Sequence, residues 1–230
     1  FSMQSLNSQP LLLENFDYPA GTVLTTVGWT AHSGAADDAV DVVTPGLSFT
    51  GYPLSNIGGA AFLDNNGEDV NKTFVTQTSG AVYVASMVKV DAFFAGYFLH
   101  LGQTTVGTTL FARVGIAAGS NSTSFKFSLA KASETAVQSA SEYNIGSTYL
   151  VVFKYHIIDG TTNDEVSLFV MDGAIPTDEP TTATIPAFAT TGADYAPGAI
   201  ALRQYNDAQD IKVDGIRIAT SWADAVTAAI

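Results

Sequence analysis

The chain has 230 residues, 47% of them hydrophobic, no cysteine, and nine lysines and arginines against 22 aspartates and glutamates, for a net charge of −13. Without cysteine there are no disulfides, thiolate metal ligands or cysteine nucleophile, and the hydrophobic content takes the chain out of the disordered class. The negative charge repels phosphate backbones and anionic headgroups, so nucleic-acid binding is not expected; no apolar run reaches the roughly 20 residues of a membrane span, so neither is membrane insertion.

Residues 1–10 are polar and unpatterned and read as a leader or linker; residues 11–230 read as a single domain, a length usual for one large all-β unit. Residues 11–18 form a first short strand, closed by Pro19-Ala20-Gly21. Residues 28–59 are turn-rich, with Trp29, the acidic pair Asp37-Asp38 and short candidate strands at 40–43 and 47–50. Asp64-Asn65-Asn66-Gly67-Glu68-Asp69 reads as a solvated acidic loop, because the spacing of a full calcium loop is missing.

From Ala81 onward the period-two pattern of half-buried strands is clear. Strands are predicted at 82–90, 95–101, 110–116, 125–129, 149–157, 166–171, 199–204 and 211–218. In 95–101 the alternation puts Tyr97, Leu99 and Leu101 on one side and Phe98 and His100 on the other; in 110–116 it puts Leu110, Ala112, Val114 and Ile116 opposite Phe111 and Arg113. Segment 149–157 starts apolar on both faces, as a central strand does. Asp159-Gly160, Asp172-Gly173 and Gly119-Ser120-Asn121 supply turn chemistry. Residues 130–141 read as a loop with at most one helical turn, 175–195 as a long loop, and Ser221 as the cap of a terminal helix. About ten short strands at this spacing, with no helical crossovers, imply an all-β antiparallel sandwich.

Three segments carry a resemblance: Leu12-Leu13-Glu14-Asn15-Phe16-Asp17-Tyr18-Pro19-Ala20-Gly21, Tyr149-Leu150-Val151-Val152-Phe153-Lys154-Tyr155 and Val213-Asp214-Gly215-Ile216-Arg217-Ile218-Ala219-Thr220-Ser221-Trp222. Together they resemble the LamG-like, concanavalin A-like jelly-roll domains of bacterial secreted cell-surface proteins, many of which are similar to type IX secretion cargo. The resemblance covers nearly the whole chain after Pro10. It implies a secreted or cell-surface location and pairing of the first strand (14–18) with the last (213–218). It also implies one structural calcium ion between those strands, with Glu14 and Asp214 as ligands. The fold hosts lectins, glycan-binding modules, hydrolases and plain structural domains, so it does not choose a function.

Catalytic patterns are missing. No strand carries two carboxylates at the spacing a retaining glycosidase needs; Glu14-Asn15-Phe16-Asp17 is out of phase, and Asp164-Glu165 faces opposite ways. No Gly-x-Ser-x-Gly elbow occurs, and His32, His100 and His156 show no short metal spacing, although His100 and His156 are candidate neighbours on strands. Basic residues at strand positions suggest a glycan face instead: Lys89, His100, Arg113, Lys126, Lys154 and His156 as donors, with Tyr83, Phe98 or Phe111 as the aromatic platform. Trp29 and Trp222 read as core plugs. Asn71-Lys72-Thr73 and Asn121-Ser122-Thr123 match the N-glycosylation pattern.

The resulting expectation is a non-catalytic surface module, not an enzyme, that binds a polysaccharide or cell-surface glycan or mediates adhesion. One alternative is a structural subunit of an extracellular filament, sheath or larger adhesin, assembled from copies of itself with residues 1–10 added as a strand to a neighbour. A second is a polysaccharide-active hydrolase or lyase.

Overall fold

A computed structural model describes residues 9–227. The strand-addition role expected of the leader falls almost wholly on residues 1–8, outside that range. In chain order the strands are β1 (Leu12–Glu14), β2 (Thr30–Ser33), β3 (Asp41–Val43), β4 (Ala60–Leu63), β5 (Asp69–Thr73), β6 (Gly80–Ala92), β7 (Gly96–Gly102) and β8 (Leu110–Ala118). There follow β9 (Ser124–Ala130), β10 (Val137–Gln138), β11 (Tyr143–Asn144), β12 (Thr148–Ile157), β13 (Glu165–Met171), β14 (Ile185–Phe188), β15 (Ala199–Leu202) and β16 (Asp210–Ala219), then a helix α1 (Trp222–Val226). They form two antiparallel sheets. The first has the order β14-β13-β12-β6-β16-β4-β3, with β1 also on β16; the second has the order β10-β9-β8-β7-β15-β5-β2, with β11 on β9.

Alternation explains the stacking. Val82, Val84, Val88 and Val90 of β6 and Val151, Phe153 and Tyr155 of β12 face Phe125, Phe127 and Leu129 of β9 and Val114 and Ile116 of β8 in one core between the sheets. The opposite faces of β6 and β12 carry Ala85, Met87, Leu150 and Val152, which lie in a second apolar cluster with Leu47, Phe49, Tyr52 and Leu54 from residues 44–59 and Trp222 and Val226 from α1. The first sheet is therefore buried on both sides, which is why segment 149–157 begins without alternation. Ser221 caps α1 as expected, its Oγ accepting from the Asp224 N–H at 3.1 Å.

Chain opening and chain end do meet, with Leu12 opposite Ile218 and Glu14 opposite Ile216. The strand, however, stops at Glu14, because Phe16 takes a positive φ of 48° and turns its ring into the core. Residues 47–50 are coil pressed on the second cluster, not a strand.

Two irregularities reverse predicted faces. Register shifts lie on either side of Leu99 where β7 meets β8, so Phe98, Leu99 and Leu101 all reach the core while Tyr97 and His100 face outward. In β8, Ala112 sits at φ 49°, and both Phe111 and Ala112 point inward. Phe98 and Phe111, 0% and 1% exposed, are core residues and not the ligand platform that strict alternation suggested.

Candidate functional site

The outer face of the second sheet lacks the apolar cover that the first has. Alternation against the core residues of β9, β8 and β15 leaves Lys126, Ser128, Ala130, Arg113, Gly115, Ala117 and Ala201 on this face. The small side chains make a shallow floor. At Gly115 a Cβ would lie 2.6 Å from the Gly96 carbonyl oxygen and 2.9 Å from Ser128 Oγ, so β7 and β8 approach closely only because glycine stands there. Above the floor opens a cleft of about 300 Å³ lined by Tyr97, Arg113, Ala117, Ser128, Glu134 and Gln138, among others.

Cationic groups and aromatic rings gather at and beside its Tyr97 wall. The Arg113 guanidinium carbon lies 5.0 Å from the Tyr97 ring centre, and that of Arg203 lies 4.1 Å from Tyr97 and 5.1 Å from Tyr205. Tyr205 donates its hydroxyl to the Phe94 carbonyl, and burial pushes its phenol up to about 12. Glu134 is the sole acid among the described lining residues, and its carboxylate accepts from the backbone N–H groups of Lys131 and Ala132.

His100 lies beneath this layer, edge-on to Tyr97 at 5.8 Å and to His32 at 6.0 Å. It is wholly buried; its Nδ1–H donates to the Leu101 carbonyl at 2.9 Å, and its Nε2 has no partner among the described residues. Burial lowers its pKa to about 4, so it is neutral at physiological pH.

The expected ligand residues do not share a face. His100, Arg113 and Lys126 belong to the second sheet, whereas Tyr83, Lys154 and His156 lie on β6 and β12 of the first. His100 and His156 are thus not neighbours; His32 is the histidine beside His100. Tyr83 and Lys154 both bind Glu179, with Lys154 Nζ donating at 2.9 Å, and Lys154 sits 5.1 Å over the Tyr83 ring. Lys154, His156, Glu165 and Glu179 line a second groove of about 270 Å³. Lys89 pairs instead with Asp91. Tyr97 and Arg203 were not readable from the sequence: Tyr97 was assigned to the wrong side of a bulged strand, and Arg203 follows the last residue of β15.

The residues expected to hold calcium do not fit a shared ion. Glu14, in phase with Leu12, points into the inter-sheet core. There it accepts from the Phe16 N–H at 3.0 Å, from Trp29 Nε1 at 3.1 Å and from Lys72 Nζ. Asp214 follows the core residue Val213 and points to the other side of the sheet, where it accepts from the N–H groups of Leu47 at 2.7 Å and Gly215 at 2.6 Å. Each carboxylate already has its protein donors, and among the described residues no three His, Asp or Glu side chains converge as a metal cage would require. Burial raises Asp214 to about 7.

Trp29 and Trp222 are buried, as expected of core plugs. Of the two sequons, Asn71 is 5% exposed on β5, and Asn121 is exposed in the turn between β8 and β9.

No protein-family model and no curated protein sequence matches the chain. Solved structures do. The globular domain of T. cruzi calreticulin superposes with a TM-score of 0.51 at 10% identity, covering 93% of this chain and 89% of that one. A GH43 glycoside hydrolase engineered to display both endo-xylanase and exo-arabinofuranosidase activity superposes with a TM-score of 0.53 at 12% identity; the match covers 95% of this chain and spans 42% of the hydrolase. At such identities the likeness is one of fold, and the chain has that of a lectin-like, concanavalin A-type jelly-roll sandwich.

Proposed function

We propose that this domain is a non-catalytic glycan-binding module of a secreted or cell-surface protein, and that the Tyr97 cleft is its binding site. The observation that carries the reading is a cleft floored by small side chains and lined by Tyr97 and Arg113, with a second guanidinium, that of Arg203, also against the Tyr97 ring. Sugar recognition needs apolar surface and directed donors; the lining of Tyr97, Ala117 and Ala130 offers the first, Arg113, Ser128 and Gln138 the second. Absence of catalysis is supported by the cleft's acid content. Glycoside hydrolysis needs two carboxylates, and Glu134 stands alone there with its oxygens turned to backbone N–H groups. Export and surface display, and a LamG-like or type IX-like origin, belong to the same proposal through the sequence resemblance. Calcium is not part of it.

A panel of neutral and acidic oligosaccharides, measured by calorimetry, tests the site. Tyr97→Ala is expected to weaken binding about tenfold or more while leaving the far-ultraviolet spectrum unchanged. Lack of binding across the panel, or full binding by the variant, would overturn the reading. The hydrolase or lyase alternative draws on the second groove, where Glu165 and Glu179 are both present. Turnover of a polysaccharide panel, lost in Glu165→Gln, would favour it.

A further inference from the structure

We infer that the Tyr97 cleft selects acidic sugars, with the anionic group of one sugar unit received by Arg113, which lines the cleft, assisted by Arg203, which lies against the same Tyr97 ring; this rests on the glycan-binding reading above. The starting point is charge pairing. The chain has 22 acidic residues against nine lysines and arginines, so an arginine without an acidic partner is unexpected. Yet the ion pairs among the described residues are made by lysines and one histidine; Arg113, Arg203 and the buried Arg217 make none, and of the three it is Arg113 that lines the cleft.

The hydrogen bonds of Arg113 and Arg203 are few. Arg113 reaches the Glu134 carbonyl at 3.3 Å, and its Nε is buried with no partner among the described residues. Arg203 reaches the Tyr97 carbonyl at 3.5 Å, at the outer limit of a bond. Nearby carboxylates fill the gap only in part, through the electrostatic interaction of Asp69 with Arg203. Glu134 is turned to the N–H groups of Lys131 and Ala132, and Asp69 to the N–H of Gln204. A guanidinium presents five donors in a planar fork that matches a carboxylate or sulfate group. Here two such forks lie against one tyrosine ring, on a sheet face that carries no second apolar cluster. The terminal guanidinium nitrogens of Arg113 have one hydrogen-bond partner between them among the described residues, and a ligand oxygen in the cleft would satisfy the rest.

The chain's overall charge limits the ligand further. A net charge of −13 opposes a long polyanion lying over the surface. A cleft of about 300 Å³ is at the small end of ligand sites. Both point to one acidic unit, in a short or otherwise neutral glycan.

Calorimetry with three probes tests this: an oligogalacturonate, the same oligosaccharide with its carboxyls reduced to alcohols, and a sulfated oligosaccharide of matched length. The oligogalacturonate or the sulfated probe is expected to bind about tenfold or more tightly than the reduced one, and the tighter of the two identifies the anion. Arg113→Gln and, independently, Arg203→Gln should abolish that preference. Arg113→Lys, which keeps the charge and the stem but not the fork, should retain the fold and recover only part of it. Equal binding of the reduced probe, or unchanged acidic binding in both glutamine variants, would overturn the inference and leave the glycan reading standing. If no probe binds, both fall together.

Discussion

His100 is fully buried, holds its Nδ1–H on the Leu101 carbonyl and leaves Nε2 without a partner among the described residues. Its pKa falls from 6.5 to about 4 on folding, so below pH 6.5 the unfolded chain takes up the proton more readily than the folded one. Stability supported by the neutral ring is therefore complete above pH 6.5 and is lost as the pH falls toward 4, by on the order of 3 kcal/mol in all. Asp214 tilts the other way. Its carboxyl is raised from 3.8 to about 7, the folded chain holds that proton more tightly, and stability declines as the pH rises between those values. The two effects overlap, so the useful quantity is a difference between curves. Urea midpoints of His100→Leu and the parent should diverge in acid, with the variant losing less between pH 6.5 and 4. Parallel curves would mean that the imidazole is not held neutral.

Among the elements, β1 and β5 belong to different sheets and are tied by Glu14 and Lys72. Glu14 is 3% exposed and Lys72 24%, so Lys72→Met leaves a carboxylate without its counter-charge in a dry setting. We expect a loss of about 2 to 3 kcal/mol, most of it recovered in the Glu14→Gln, Lys72→Met double variant, measured by chemical denaturation. Because Lys72 fills the place a cation would take beside Glu14, calcium or a chelator should leave the melting temperature unchanged; a rise with calcium would contradict the assignment of these donors. Elements also mark how far the sequence could be read. Long alternating strands such as β6, β9, β12 and β16 were legible because one face is apolar throughout. β5, with Asn71 and Lys72 in its middle, was not, and neither was β2. The site was half legible. Arg113 stands out in its strand, but the shifts around Leu99 invert the reading of Tyr97. Nor can alternation say that β12 and β8 lie in different sheets, so donors from both were grouped on one face.

At the scale of the molecule, the pairings that close the sandwich join distant segments, as Leu12 with Ile218 and Ile200 with Lys72. Such topology folds slowly, and stopped-flow refolding is expected in milliseconds to seconds or longer, with a sub-millisecond phase to the native state counting against it. The outer strands are brief: β10 has two residues, β3 three, and β14 carries Pro186. Short and proline-marked edges discourage strand addition, so filaments, if micrographs reveal them, would have to be built through faces. The covered sheet has one more consequence. β1 lies on β16, and α1 packs in the cluster on that same sheet, so both extremities of the described chain are on the side away from Tyr97. A biotin placed near residue 9 or residue 227 would orient every immobilised copy with its cleft toward the flowing analyte, whereas amine coupling would consume Lys126 on the working face itself.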